Sequence, residues 1–351
     1  MADRDFVVFD LTGIVALFSI PLIRRRSRDC RAAWKILTLN LVGCAAIIVT
    51  GSTAVAATYL SFDAATQSRF TGGTPNSNFY FDEAAIRGIG INDTTITANQ
   101  GRATLITPRH YITATHASST SARFRRADGT FEVYNTTGSI ILNTTTPDGV
   151  VASDLRIFTL DRDVDPIATG ITPLAVLDES TDIGPGLIGQ PLVVYDQAEN
   201  AGRNIIDEFT LVEFGSGPPR TSFAVSYLFE GGSRSLPDEA GLVGGDSGRP
   251  GLYDFGGTPV VIGTHFGIDS RPSQGFSFPN GPYPSFTTLI TPYLDQIDAH
   301  VSQASQGGHS LNRIALPGFT VPTITAVPEP TFAPVALAMG LAAWRRRKTA
   351  A

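Results

Sequence analysis

Cysteine is nearly absent: two in 351 residues, Cys30 and Cys44, both close to the start. The rest of the chain cannot form a disulfide, and a chain of this length buries enough apolar surface to fold without one. Lysine is as rare. From Ala57 to Trp344 there is none, and 15 Arg stand against 28 Asp plus Glu, a net of −13. The whole chain carries −6 only because both ends are basic. An acidic, lysine-free body argues against nucleic acid as a partner and suits a soluble domain outside the cell. Long uninterrupted apolar runs and internal repeats are also missing. The apolar run at 331–344 has fourteen residues, short for a bilayer span, and Pro334 interrupts it.

What is present is a heptad at 244–250, Gly-Gly-Asp-Ser-Gly-Arg-Pro. A serine becomes a strong nucleophile only when a base takes its proton and nearby donors stabilise the oxyanion. Glycines around Ser247 let the backbone turn sharply and approach a carbonyl. Gly245 and Ser247 are candidates for the two N–H donors, with Asp246 between them placed to lock the loop. Arg249 occupies the last glycine position of a G-x-S-x-G elbow, which excludes that motif. Taken alone, such a string also fits a surface turn.

A base must come from His110, His116, His265, His300 or His309. Residues 103–116 read as a strand (103–107), a turn at Pro108 and a short strand (111–114) that delivers His116 into a loop of small residues. A carboxylate is needed to hold the imidazole in one tautomer. Asp154 stands at the head of an apolar strand within 150–160, whereas Asp148, Asp161, Asp163 and Asp165 lie in turn-like surroundings.

The order His, Asp, Ser, with Thr-Ala-Thr-His at 113–116, Ser-Asp-Leu-Arg-Ile at 153–157 and Gly-Asp-Ser-Gly-Arg-Pro at 245–250, resembles the trypsin-like (chymotrypsin-fold) serine endopeptidases over roughly residues 80–300. The resemblance implies an all-β fold, two six-stranded antiparallel β-barrels with a C-terminal helix and an active site between them. It implies His116 as general base, Asp154 as its orienter, Ser247 as nucleophile, and Gly245 and Ser247 N–H as the oxyanion hole. No metal or organic cofactor is required. Ala117 stands where animal digestive enzymes carry a disulfide cysteine, so the chain looks like a bacterial, cysteine-free version.

The resemblance also assigns a substrate pocket to Gly241, His265, Phe266 and Gly267. Gly241 replaces the floor aspartate of enzymes that cut after Arg or Lys, and Asp238 and Glu239 reach the floor only with a shifted loop. Ile-Gly-Thr-His-Phe-Gly at 262–267 is similar to a segment of bacterial glutamyl endopeptidases whose histidine binds the substrate carboxylate. Leu242 and Val243 lack the hydroxyl those enzymes place near the floor, which favours a small or apolar residue before the cut over glutamate. Zymogen activation at Arg87-Gly88-Ile89, with Asp246 receiving the new amine, competes with internal partners for Asp246; the short distance to His116 favours the latter.

Thr291-Pro292 forms a helix start, a hydroxyl N-cap with proline at the first position. Leu294, Ile297 and Val301 then give one apolar face. His300 and His309 are expected in solvent.

The ends carry targeting signals. Val-Pro-Glu-Pro at 327–330, an apolar stretch and Arg-Arg-Arg-Lys resemble the PEP-CTERM sorting signal of Gram-negative bacteria, which implies processing by an exosortase-type enzyme and delivery to the cell surface or extracellular matrix. A basic region at 24–35, an apolar core at 36–50 and Ala-Val-Ala at 54–56 fit a signal-peptidase site that leaves Ala57 first. Residues 6–23 are either a membrane segment or an over-extended reading frame. The expected organisation is a leader at 1–56, a flexible lead-in at 57–80, a peptidase domain at 81–304 (barrels at about 81–170 and 171–290, helix at 291–304), a linker at 305–326 and the sorting signal at 327–348. The leading reading is an exported serine endopeptidase acting on polypeptides. Its alternative is a catalytically inactive surface-displayed binding or matrix protein on the same fold.

Overall fold

The computed structural model describes residues 7–11, 14–18, 57–92, 100–117, 119–178, 184–214, 219–229, 236–268 and 284–315. The proposed signal-peptidase site and the sorting signal lie outside these residues. The chain divides into two units, Met1–Ala54 and Val55–Ala351. In the first, Val7–Leu11 pairs antiparallel with Ile14–Phe18. No described helix is long and apolar enough to cross a membrane.

The second unit is built on two antiparallel sheets. The first contains β1 (Thr104–Thr107), β2 (His110–Ala114), β3 (Ser121–Arg125), β4 (Phe131–Thr146) and β5 (Gly149–Leu160), in the order β1-β2-β5-β4-β3. The second contains β6 (Ala175–Leu177), β7 (Pro191–Tyr195), β8 (Ala201–Ile205), β9 (Glu208–Phe214), β10 (Arg220–Tyr227), β11 (Pro250–Phe255), β12 (Thr258–Ile268), β13 (Ser285–Leu289) and β14 (Arg313–Ile314). Its main path runs β8-β7-β11-β12-β13-β10-β9, and β6 joins β12 and β14 in parallel.

Two curled sheets and a short C-terminal helix make a chymotrypsin-like double barrel. Among the described residues the strand counts are five and nine instead of six and six. Ile89 adds an isolated bridge to Thr104 beside the first sheet. In the second, β6 occupies the edge of β12 at Val260–Val261, before β13 pairing begins at Gly263.

Alternation along the strands explains the packing, because successive side chains leave opposite faces. On β5, Leu155 and Ile157 enter the core between the sheets, while Phe158 and Leu160 enter the interior of the first sheet with Leu105, Tyr111, Phe124 and Tyr134. On β7, Val193 and Tyr195 face the shared core, and Leu192 and Val194 face the interior of the second sheet. Each such side chain stabilises the fold by roughly 1.5–3 kcal/mol.

The C-terminal helix α1 (Leu294–Val301) buries Leu294, Ile297 and Val301 in the shared core, as their spacing predicts. Its start differs. Thr291 lies inside a 3-10 turn, Thr291–Tyr293, and makes no side-chain cap. The turn closes one residue earlier, with Tyr293 N donating to Ile290 O, and this carries Thr291 into the interior.

Three further expectations are corrected. Residues 57–80 pack on the body: Thr58–Tyr59 pairs with Ala240–Gly241, and Arg69 is only 1 % exposed. Part of the 305–326 stretch is β14, which pairs with β6. His300 is buried and His309 is not fully exposed. Their rings pack T-shaped against His110 at 5.5 and 6.0 Å, because α1 and the turn after it fold back over β2. Burial pushes His110 down to about 3 and lowers His300 as well.

Candidate active site

β2 ends at Ala114, and a 3-10 turn, Thr115–Ala117, carries His116. Its Nδ1 lies 2.6 Å from Asp154 Oδ2, and its backbone N–H donates to Asp154 Oδ1 at 3.2 Å. Asp154 is fully buried, whereas the His116 side chain is 28 % exposed. Asp154 is not at a strand head. It lies inside β5, where the pairing with β4 slips between Ala152 and Arg156. Such a bulge re-aims a side chain. Two β10 residues also reach Asp154: Ser222 Oγ accepts its N–H at 2.9 Å, and Arg220 Nη1 donates to Oδ1 at 3.3 Å.

Three of the competing aspartates are engaged elsewhere. Asp161 pairs with Arg162, Asp163 lies beside Arg109 and His309, and Asp165 caps a short helix at Pro166–Thr169.

The nucleophile loop turns through Gly245 (φ +112°) and Gly248 (φ +86°), a backbone region that favours glycine. Asp246 locks it as the sequence suggests. Its Oδ2 accepts Val243 N–H at 2.9 Å and its Oδ1 accepts Gln197 N–H at 3.1 Å. Burial, reinforced by Asp196 and opposed by these donors, raises Asp246 to about 7. Its carboxylate is thus met by internal backbone donors. Ile89, the candidate activation terminus, is buried, and its N–H donates to Ile86 O.

The loop is held against both sheets. Gly248 N donates to His265 O at 2.7 Å, and His265 N to Arg249 O at 2.8 Å. A Cβ on Gly248 would strike the Thr113 hydroxyl and lie 3.4 Å from Ala114 N. Arg102 Nη2 donates to Gly245 O at 3.2 Å. Ser247, half-buried, is thereby brought to the end of the strand that carries His116.

Behind the serine lies a charged network that sequence reading missed. Arg249 is fully buried. Nη1 donates to Gly90 O at 2.7 Å and Gly101 O at 2.5 Å, and Nη2 donates to Glu199 Oε1 at 2.6 Å and Gln197 O at 3.2 Å. Glu199, at φ +63°, also takes Arg69 and the Tyr195 hydroxyl on Oε2. Arg69 binds Glu83 through a two-pronged pair at 2.8 and 3.0 Å. The one available signal was Arg249, an arginine inside an apolar-flanked loop.

The pocket residues divide. Gly241 is buried, and an added Cβ would come within 2.8 Å of Phe229 Cβ, so Phe229 crowds the floor. Leu242 N donates to Ser285 Oγ at 3.0 Å. His265 is fully buried with Nδ1 2.8 Å from Thr287 Oγ1, and burial, with Arg249 second, holds it down at about 3 and hence neutral. Phe266 is buried as well, and its side chain joins Ala114, Ala117, Ala224 and Phe286 in a core cluster. Gly267 pairs with Phe286 after a register shift. Asp238 is held by Arg203 at 2.6 Å, away from any role at the floor.

No family model and no curated protein matches this chain. Solved structures that match include an inactive chimeric murine norovirus protease at 17% identity, covering 58% of this chain and 93% of that one, with a TM-score of 0.35. Human heparin binding protein matches at 16% identity over 57% of this chain and 85% of its own, TM-score 0.36. A mutant of the same human protein matches at 16% identity over 65% and 98%, TM-score 0.41. The fold rests on the sheet topology and the site on the distances above, not on these likenesses.

Proposed function

We propose that the chain is a serine endopeptidase whose triad is His116, Asp154 and Ser247. The observation that carries the reading is the 2.6 Å contact from His116 Nδ1 to a fully buried Asp154, at the strand end against which the Ser247 loop packs. In this reading Ser247 Oγ attacks a peptide carbonyl while His116 Nε2 takes its proton. The Nδ1–H stays on Asp154, which stabilises the imidazolium. Gly245 and Ser247 N–H receive the oxyanion. His116 then returns the proton to the leaving amine, and the acyl-enzyme is cleared by a water activated in the same way.

A fluorophosphonate probe tests this directly. Labelling is expected on the processed protein and is lost in Ser247→Ala. If the native protein takes no label anywhere between about pH 6 and 9, where such a histidine base works, the reading fails.

A small or apolar residue before the cut is supported by Phe229 at the floor and by the uncharged state of His265. Peptide-library profiling that returned cleavage after glutamate would reverse that assignment. Export and surface delivery are supported by the terminal segments and the acidic, lysine-free body. N-terminal sequencing of the mature protein checks them, with Ala57 as the expected first residue.

A further inference from the structure

Asp154 has a partner that a His-Asp-Ser arrangement does not require. Oδ2 receives the imidazole, while Oδ1 receives both the His116 backbone N–H at 3.2 Å and the Arg220 guanidinium at 3.3 Å. Arg220 and Ser222 are two apart on β10, so both side chains leave one face of that strand. Ser222 holds the backbone of Asp154 and Arg220 its carboxylate. The second sheet thus grips a residue of the first at two points.

The consequences for His116 oppose each other. A carboxylate held on Oδ1 cannot swing, and Oδ2 stays aimed at Nδ1. The same cation also neutralises part of the charge that would stabilise a protonated imidazole. Arg156, two residues after Asp154 on β5, adds to this field, since it interacts electrostatically with both Arg220 and Asp154. Arg220 is 27 % exposed, and a pair between two such groups on the surface contributes little. Its partner is fully buried, where loss of a compensating charge is felt strongly.

We infer that Arg220 is a positioning residue, which holds the Asp154 carboxylate in register with His116 and answers part of its charge. The inference rests on the reading of His116 and Asp154 as base and orienter. Arg220 acts only through Asp154.

The test is an NMR titration of the His116 ring C–H in native protein, Arg220→Gln and Arg220→Lys, with the resonance assigned by its loss in His116→Gln. Removing the cation makes the imidazolium easier to form. The midpoint in Arg220→Gln is therefore expected to rise by about one pH unit, and in Arg220→Lys by clearly less. The acid limb of the fluorophosphonate labelling rate moves the same way, a loss of about tenfold well below the midpoint with little change on the alkaline plateau. Unchanged midpoints in Arg220→Gln overturn the inference. If Arg220→Gln does not fold, Arg220→Lys decides it: a rise as large as a full unit there removes the role of the charge. The titration needs no turnover, so a native protein that takes no label sinks the peptidase reading while leaving this measurement to stand or fall separately.

Discussion

The two sides of Ser247 are built on different principles. In front, His116 meets a single buried carboxylate, and its own side chain remains partly open to solvent. Behind, Arg249 and Arg69 are almost wholly enclosed, and each guanidinium donates to both carboxylate and carbonyl acceptors. In the proposed reaction the front gains and loses a proton, which requires access and a partner set that tolerates both states. The back ties residues 69, 83, 90, 101, 199 and 249 into one unit behind the loop that carries Ser247. A partly open histidine beside a firmly held serine loop suits the covalent catalysis proposed above.

Substitutions on either side separate the two roles. The largest expected effect is Asp154→Asn. The imidazole loses the acceptor that selects its tautomer, and the labelling rate falls by roughly 10⁴-fold, the scale seen for loss of a triad carboxylate. Thermal stability should change far less than activity. Equal loss of both would mean that Asp154 is chiefly structural.

Arg249→Met should show the reverse. It leaves Glu199 with one cation fewer in a buried setting and strips Gly90 O and Gly101 O of their donor, for about 3–5 kcal/mol of stability. Urea denaturation measures it. A loss near zero would show that the network at the back is replaceable by packing.

The smallest effect concerns protons at a distance. His110 is held near 3 by burial, below its ordinary value, so the folded state keeps it neutral while the unfolded chain protonates it. The stability this contributes is present above about pH 6.5 and is lost as the pH falls toward about 3. His265 acts in the same sense. Asp246, raised to about 7, acts oppositely, with stability present at low pH and lost as the pH climbs toward 7. His110→Gln should therefore flatten the fall in denaturation midpoint between pH 6.5 and 4. An unaltered slope would place the acid sensitivity elsewhere.

Local chemistry explains which parts were legible. His116 ends a strand among small residues, Asp154 adjoins an apolar run, and glycines frame Ser247; each is a short-range pattern. The apolar face of α1 and the strand at 258–267 were equally readable, because periodicity is written in neighbouring residues. Arg69 was not, since an arginine in a Ser/Thr/Gly/Asn-rich stretch looks solvated until Glu83 and Glu199 are seen around it. The His110 cluster was missed for the same reason.

By itself, the sequence pointed to the all-β double-barrel class, to His116, Asp154 and Ser247 as the candidate triad, and to the glycine turn around the serine. Tertiary structure alone decided which charges are buried and what answers them: Arg220 on Asp154, Glu199 between Arg69 and Arg249, and backbone donors on Asp246. The physical reason is range. Backbone preference and alternation act over a few residues, while the energy of a buried charge depends on partners that folding brings in from positions 49 to 130 residues away.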